Sequence, residues 1–158
     1  MKGEPPKFST FNARSEDAAS KASWRDAVKS KRCLVPASGY YEWVVEEGVK
    51  APHYIHSDEV LAFAGLYSWW RAVPEDPWML TATILTMPTV PELARIHDRN
   101  PVPLPREYWS QWLNPAEVGT QQSVDAAVRA AIPIAASLSE HKVAPIRGNG
   151  PDIILPIS

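Results

Sequence analysis

Cysteine is almost absent from this chain: of 158 residues, only Cys33 carries a thiol. A single cysteine excludes an intrachain disulfide framework and any cysteine-based metal cluster. A reducing, cytoplasmic compartment is the setting it fits. No run of about 18 apolar residues occurs, and no charged-then-apolar leader opens the sequence, so neither membrane spanning nor secretion is expected. An excess of one charge is lacking too. Sixteen basic residues stand against 18 acidic ones, a net charge of −2. That balance excludes a protein that grips duplex DNA through bulk charge, although a local basic groove survives such averaging. Internal repeats and low-complexity segments are missing. Ser38-Gly39 and Gly148-Asn149-Gly150 lack the context of a nucleophile elbow or a phosphate-binding loop.

What is present suits one domain with a sizeable core: 45% of residues are hydrophobic, and 7 are Trp. The 16 prolines argue for short elements and many turns. Residues 1–10 read as a loose leading segment. Residues 16–31 read as a helix that Ser15 caps. Strands are expected at Cys33–Pro36, Gly39–Val45, His53–His56, Val60–Trp70 and Trp78–Thr86, with turns at 46–50 and 57–59. Short helices are expected at Pro91–Ile96 and Pro105–Leu113, a longer one over 116–131, a strand at His141–Val143 and a turn at 148–151. A consecutive run of strands with helices on either side implies an α+β fold around a mainly antiparallel, strongly bent sheet.

The chemistry-bearing candidates lie on three separate segments. Glu42 sits in Tyr41-Glu42-Trp43. If buried, its carboxyl is pushed up in pKa and becomes a proton carrier near neutrality; otherwise it is a solvent-facing residue of an amphipathic strand. His97 follows a short helix and precedes Asp98-Arg99. It reads either as an acid/base or as a surface histidine paired to Asp98. Asn12 and Arg14 alternate, so on an extended segment both point to one face. There Asn fixes a carbonyl or amine and Arg clamps a phosphate; alternatively, both belong to a helix-entry loop. His53 and His56, three apart on a strand, point to opposite faces and make a poor metal pair. Cys33 reads as a buried, unreactive thiol. The aromatic stripe of Tyr108, Trp109 and Trp112 reads as core.

The ordered motifs resemble the SOS-response-associated peptidase (SRAP) family, whose members process abasic sites by crosslinking themselves to DNA. They are Asn12-Ala13-Arg14-Ser15-Glu16, the run from Arg32 to Trp43, Phe63–Tyr67, Thr83–Thr86, Ile96-His97-Asp98-Arg99 with Pro101, and Asn149 ahead of Ile153–Pro156. The resemblance implies a twisted, β-barrel-like sheet with flanking helices and an active site facing a groove for single-stranded DNA. It implies no cofactor. In the family, a cysteine next to the initiator Met captures the ring-opened aldehyde as a thiazolidine, and the peptidase label refers to removal of that Met. By motif match, Asn12 orients the amine or sugar, Glu42 handles protons in ring opening and crosslink reversal, and His97 is the acid/base of Schiff-base formation. Arg14 and Arg99 hold DNA.

This chain departs from the pattern. It begins Met1-Lys2-Gly3 and has no cysteine before Cys33, and Asn100 stands where the family often has Met. The expectation is therefore a single SRAP-like domain over 1–158, truncated at its N-terminus, with homodimerisation through an exposed sheet edge. Two rivals remain: a non-catalytic single-stranded DNA-binding module, and a small hydrolase for which the sequence offers no nucleophile.

Overall fold

Two long strands dominate because the chain from Arg32 to Trp70 is rich in β-branched and aromatic residues. In the computed structural model, which describes residues 11–157, β2 (Arg32–Glu46) and β3 (Val49–Trp70) pair antiparallel along almost their whole length. The leading segment 1–10 lies outside the described residues. Glu47 and Gly48, with φ of 50° and 82°, form the two-residue turn between the strands. Two left-handed positions in succession match the twist of a tight hairpin. The expected breaks at 37–38 and 57–59 do not separate strands. Pairing passes from Ala37↔Leu61 to Gly39↔His56, so Ser38 on β2 faces residues 57–60 on β3. The polar Ser57-Asp58-Glu59 cluster is thus absorbed as a bulge, since the segments on both sides of it pair with the same neighbour.

β4 (Met79–Pro88) pairs with β3, while β6 (Ser139–Lys142) pairs with the first half of β3. Two three-residue strands flank β4: β1 (Asn12–Arg14), parallel to it, and β5 (Arg99–Pro101), antiparallel. The result is the expected α+β architecture around a six-stranded, mainly antiparallel sheet. The sheet is open rather than closed into a barrel.

The helix expected over 16–31 is largely replaced by turns. A 3-10 turn covers Ser15–Asp17, and α1 is only Arg25–Ser30. Ser20 accounts for part of this, since its hydroxyl bonds the Asp17 carbonyl, a local alternative to helical pairing. Ser15 caps nothing; it is buried. A 3-10 turn at Arg106–Tyr108 leads into α2 (Trp109–Trp112). The last helix, α3, spans Gln121–Ala136, later than expected, because Thr120 and Ser123 form a capping box at its start. Its Val124, Ala127, Ala131 and Ala135 are fully buried, a helical stripe facing the core. The aromatic stripe packs as core: Trp112 is buried, and its indole N–H donates to the Cys33 carbonyl at 2.9 Å.

Arg32, the first residue of β2, joins the helices to the sheet. Its five N–H groups all meet backbone carbonyls: Nε on Trp112, Nη1 on Val28 and Lys29, Nη2 on Asn114 and Glu117. The Val28 and Lys29 carbonyls are the orphan acceptors at the end of α1, and Trp112 ends α2. Gly119 is required alongside, since a Cβ there would lie 2.1 Å from the Val28 oxygen. Arg32→Met should therefore destabilise the protein by about 3 kcal/mol in urea unfolding, because unpaired carbonyls are left behind. Arg32→Lys should recover only part of the loss, as an ammonium lacks the planar fork.

Candidate active site

The site assembles where β1, β4 and β5 run side by side. β1 pairs Arg14 with Thr86, and β5 pairs Pro101 with the same Thr86. Alternation along β1 buries Ala13 and exposes Asn12 and Arg14 on one side. Those two side chains, Glu42 from β2, His97 from the loop before β5, and Arg99 converge on one cavity of about 200 Å³. All five residues singled out in the sequence line it. Thr86, Asn100 and Pro101 complete the wall. Cys33 is not part of it.

Glu42 is half-buried, and burial pushes its carboxyl pKa up; the charge of His97 opposes the shift and that of Asp98 adds to it. The direction is the one needed for a proton carrier near neutral pH. Two residues earlier on the same strand face, the Tyr40 hydroxyl is buried with no hydrogen-bond partner among the described residues. Burial, then the charge of Glu42, pushes its pKa far up. His97 is half-exposed. Its Nδ1 lies 3.1 Å from an Asp98 carboxylate oxygen and 3.1 Å from the Arg99 backbone N–H. The Arg99 carbonyl lies at 3.1 Å from the same nitrogen, so Nδ1 has both a donor and acceptors within reach.

The two arginines differ sharply. Arg99 is committed: Nη1 and Nη2 donate to the two Glu16 oxygens at 2.7 and 2.8 Å, Nε donates to Thr86 Oγ1 at 3.1 Å, and Nη2 to the Thr86 carbonyl at 2.7 Å. Arg14 makes no hydrogen bond or ion pair among the described residues. Of the two arginines lining the cavity, it is the one open to an incoming anion among the described residues. Asn12 likewise has no side-chain partner among them.

Thr86 and Asn100 are the wall residues that sequence reasoning missed. Both are buried polar side chains. Asn100 Oδ1 accepts from the Val90 N–H at 3.2 Å, and its amide donates to the Pro101 carbonyl at 2.7 Å, which pins the turn into β5. Thr86 could have been found from its place at the end of a β-run whose register puts it beside Arg14. His53 is buried and His56 half-buried, in keeping with structural roles. Cys33 is half-buried with its thiol pKa raised by burial. Among the described residues, no group of three or more His, Cys, Asp or Glu is placed to hold a metal ion, and no helix is long and apolar enough to cross a membrane.

Fold and site together define a protein built around a small polar cavity on a bent sheet, and comparison with known proteins gives the family. The model of the SOS response associated peptidase (SRAP) family matches residues 1–146. The chain belongs to the SRAP family. It is 40% identical over 117 residues to the abasic site processing protein YobE of Bacillus subtilis, covering 72% of this chain and 53% of that protein. Against the abasic site processing protein HMCES of Gallus gallus, identity is 31% over 172 residues, covering 95% of this chain and 51% of that one. Among solved structures, a Bacteroides thetaiotaomicron protein superposes with a TM-score of 0.81 at 26% identity, covering 94% of this chain and 66% of the other. A phage-related protein of Bordetella bronchiseptica superposes with a TM-score of 0.69 at 32% identity, covering 90% of this chain and 68% of the other. The chain spans about half the length of the curated relatives it matches.

The Arg99 clamp gives the site a pH signature. The bidentate guanidinium, mostly through its hydrogen bonds, pulls Glu16 down from 4.5 to about 2. A carboxylate lowered in the folded state stabilises above its unfolded pKa, and the benefit disappears as pH falls from about 4.5 toward 2. The Glu16 side chain is 48% exposed, so solvent screening reduces the effect to about 1 kcal/mol. Glu16→Gln should cost that much at pH 7 and little at pH 2, measured by urea unfolding at both values.

Proposed function

We propose that this chain is a DNA-damage-response protein that recognises abasic sites in single-stranded DNA, with residues 1–158 acting as one SRAP-type domain. The observation that carries the reading is the convergence of Asn12, Arg14, Glu42 and His97 on one cavity with a raised Glu42 carboxyl. Its relatives' names point to the same substrate class. An abasic deoxyribose is anionic through its flanking phosphates and carries a hemiacetal that opens to an aldehyde. Arg14 holds a flanking phosphate. Asn12 donates to the sugar or carbonyl oxygen. Glu42, able to keep its proton to higher pH than an ordinary carboxyl, delivers it to the ring oxygen as the hemiacetal opens and takes it back on closure. His97 transfers the second proton, at the C1 hydroxyl. Arg99 shapes the wall and turns to DNA only if Glu16 lets go.

Covalent capture as a thiazolidine needs an amine and a thiol on one residue. Cys33 does not supply that pair, because its nitrogen is a mid-strand amide. For the residues in hand, the reading is recognition and proton handling, within a cytoplasmic, nucleoid-associated setting. The rival reading is a module that binds single strands and does no chemistry.

The two separate on an oligonucleotide carrying one abasic site. The chain should bind the abasic single strand about tenfold more tightly than an intact strand or a duplex. It should also cleave the abasic strand by β-elimination: once the aldehyde is open, His97 takes a C2 proton, the C2–C3 double bond forms and the 3′ phosphate leaves with the bonding pair. Glu42→Gln should cut the chemical step by roughly a hundredfold, within the range for a positioned acid/base, and leave binding nearly unchanged. Arg14→Ala should weaken binding and reduce its salt dependence. Equal binding to abasic and intact strands with no cleavage identifies the binding module instead.

We also propose self-association. Among the described residues, β2 pairs on one side only, and Trp43, Val45 and Val49 are exposed at its hairpin end. Light scattering should give a dimer mass that Val45→Lys lowers to that of a monomer. A monomeric mass for the unaltered chain would end this part of the reading.

A further inference from the structure

A chain of ion pairs and hydrogen bonds runs beside the cavity without entering its wall. Arg95, two residues before His97, ion-pairs with Glu140 Oε1 of β6. The other oxygen, Glu140 Oε2, lies 2.7 Å from His53 Nδ1 of β3. His53 Nε2 lies 3.1 Å from Glu46 Oε1 of β2. Lys142 Nζ donates to Glu46 Oε2 at 2.6 Å. Five groups from the His97 loop and three strands are thereby linked.

The strand register shows what this linkage touches. Glu42 pairs directly with His53, and His53 pairs directly with Lys142. Directly opposed residues project from the same face of a sheet. His53 therefore stands on the face that carries Glu42, and it is only 5% exposed. Its two nitrogens both meet carboxylate oxygens, which fixes the ring's orientation. Glu140 is 17% exposed at its side chain. A carboxylate so far removed from water is retained only with partners, and it has two. One belongs to the loop that carries His97, the other to the row that carries Glu42.

The remaining anchors of the loop act at its ends. Leu93 and Ile96 are buried, and the Thr89 N–H donates to the Asp98 carbonyl at 3.0 Å. Leu93 and Ile96 share the hydrophobic core with Ile55 and Phe63 of β3, which sets the loop's depth through non-directional contacts. The Arg95–Glu140–His53 bridge adds a directional tie to β3 and β6.

We propose that Glu140 is a positioning residue for the cavity: its two oxygens, by holding Arg95 and His53, set the spacing between His97 and Glu42. The activity consequence rests on the abasic-site reading above; the positional consequence does not. The variant Glu140→Gln keeps the shape and removes the charge. Arg95→Gln removes only the exposed arm of the bridge and provides a test should the first variant fail to fold.

The experiment compares NMR spectra of both variants with the unaltered chain. The expected result is a change in the His97 ring signals, in the backbone amides of residues 93–99 and in that of Glu42, with the amides of α3 unmoved. Unchanged His97 signals, or changes spread evenly through α3, overturn the inference. In the abasic-strand assay, Glu140→Gln should lose roughly tenfold in the chemical step, short of the hundredfold that a 1 Å misplacement can cost. In a His97→Ala background, it should lose no more than about twofold, the non-additivity of residues acting through one another. Equal losses in both backgrounds overturn it. If the unaltered chain is inert toward abasic strands, the functional reading fails by itself, and the NMR comparison still decides the positional one.

Discussion

The cavity depends on the pairing of one strand with two very short neighbours at a single row. Thr86 of β4 is opposite Arg14 on β1 and opposite Pro101 on β5. Its hydroxyl donates to the Ala13 carbonyl at 3.4 Å and accepts from Arg99 Nε at 3.1 Å. One buried threonine is therefore in register with both sides of the site and hydrogen-bonded to both. Were β1 to slip by one residue, Ala13 would point into the cavity, and Asn12 and Arg14 into the core. The buried Ala13 and the exposed Arg14 are two consequences of the same register.

The cavity's electrostatics follow from which charges are already taken. Arg99 is neutralised by Glu16, so of the two arginines lining the cavity Arg14 is the one with unspent hydrogen-bonding capacity among the described residues. A chain of net charge −2 can thus present a local positive point without a basic surface. Around Glu42, burial raises the pKa and Asp98 reinforces it, while His97 works the other way. The carboxyl is held between a histidine that draws its proton off and an aspartate that keeps it on.

Much of this is legible in the sequence because it is local. The alternation Asn12-Ala13-Arg14 gives the face of β1, and the aromatic run around Glu42 gives a strand. The loop before Arg99 announces itself by composition. The long helix expected at 16–31 fails for a local reason as well: alanines favour a helix, but the Ser20 hydroxyl bonds a backbone carbonyl instead. The split of β2 and β3 into four strands fails differently. Ser57-Asp58-Glu59 carries genuine turn chemistry, and only pairing with β2 on both sides of it shows that it is a bulge. The partners of Arg99, Arg32 and His53 are out of reach. Glu16 is 83 residues from Arg99, and Glu140 is 87 from His53. No periodicity encodes which carboxylate meets which cation across such separations.

The long strands carry the extended ladder, and the short ones supply most of the cavity's wall. β2 and β3 share one extended ladder, whereas β1 and β5 each pair with β4 over three residues. Segments with so few backbone bonds open most readily, yet they hold Asn12, Arg14, Arg99 and the approach to His97. Ion pairs lie where the ladder is thin: Arg99 to Glu16 beside β1 and β5, Arg95 to Glu140 beside the His97 loop. Partly exposed pairs of this kind contribute only about 0.2–1 kcal/mol each, so their contribution to overall stability is small. Their use is directional. Each joins a short segment to an element from a distant part of the sequence, and a bidentate or shared carboxylate fixes an angle as well as a distance. The geometry of the cavity is thereby set in part by two carboxylates, Glu16 and Glu140, that do not line it.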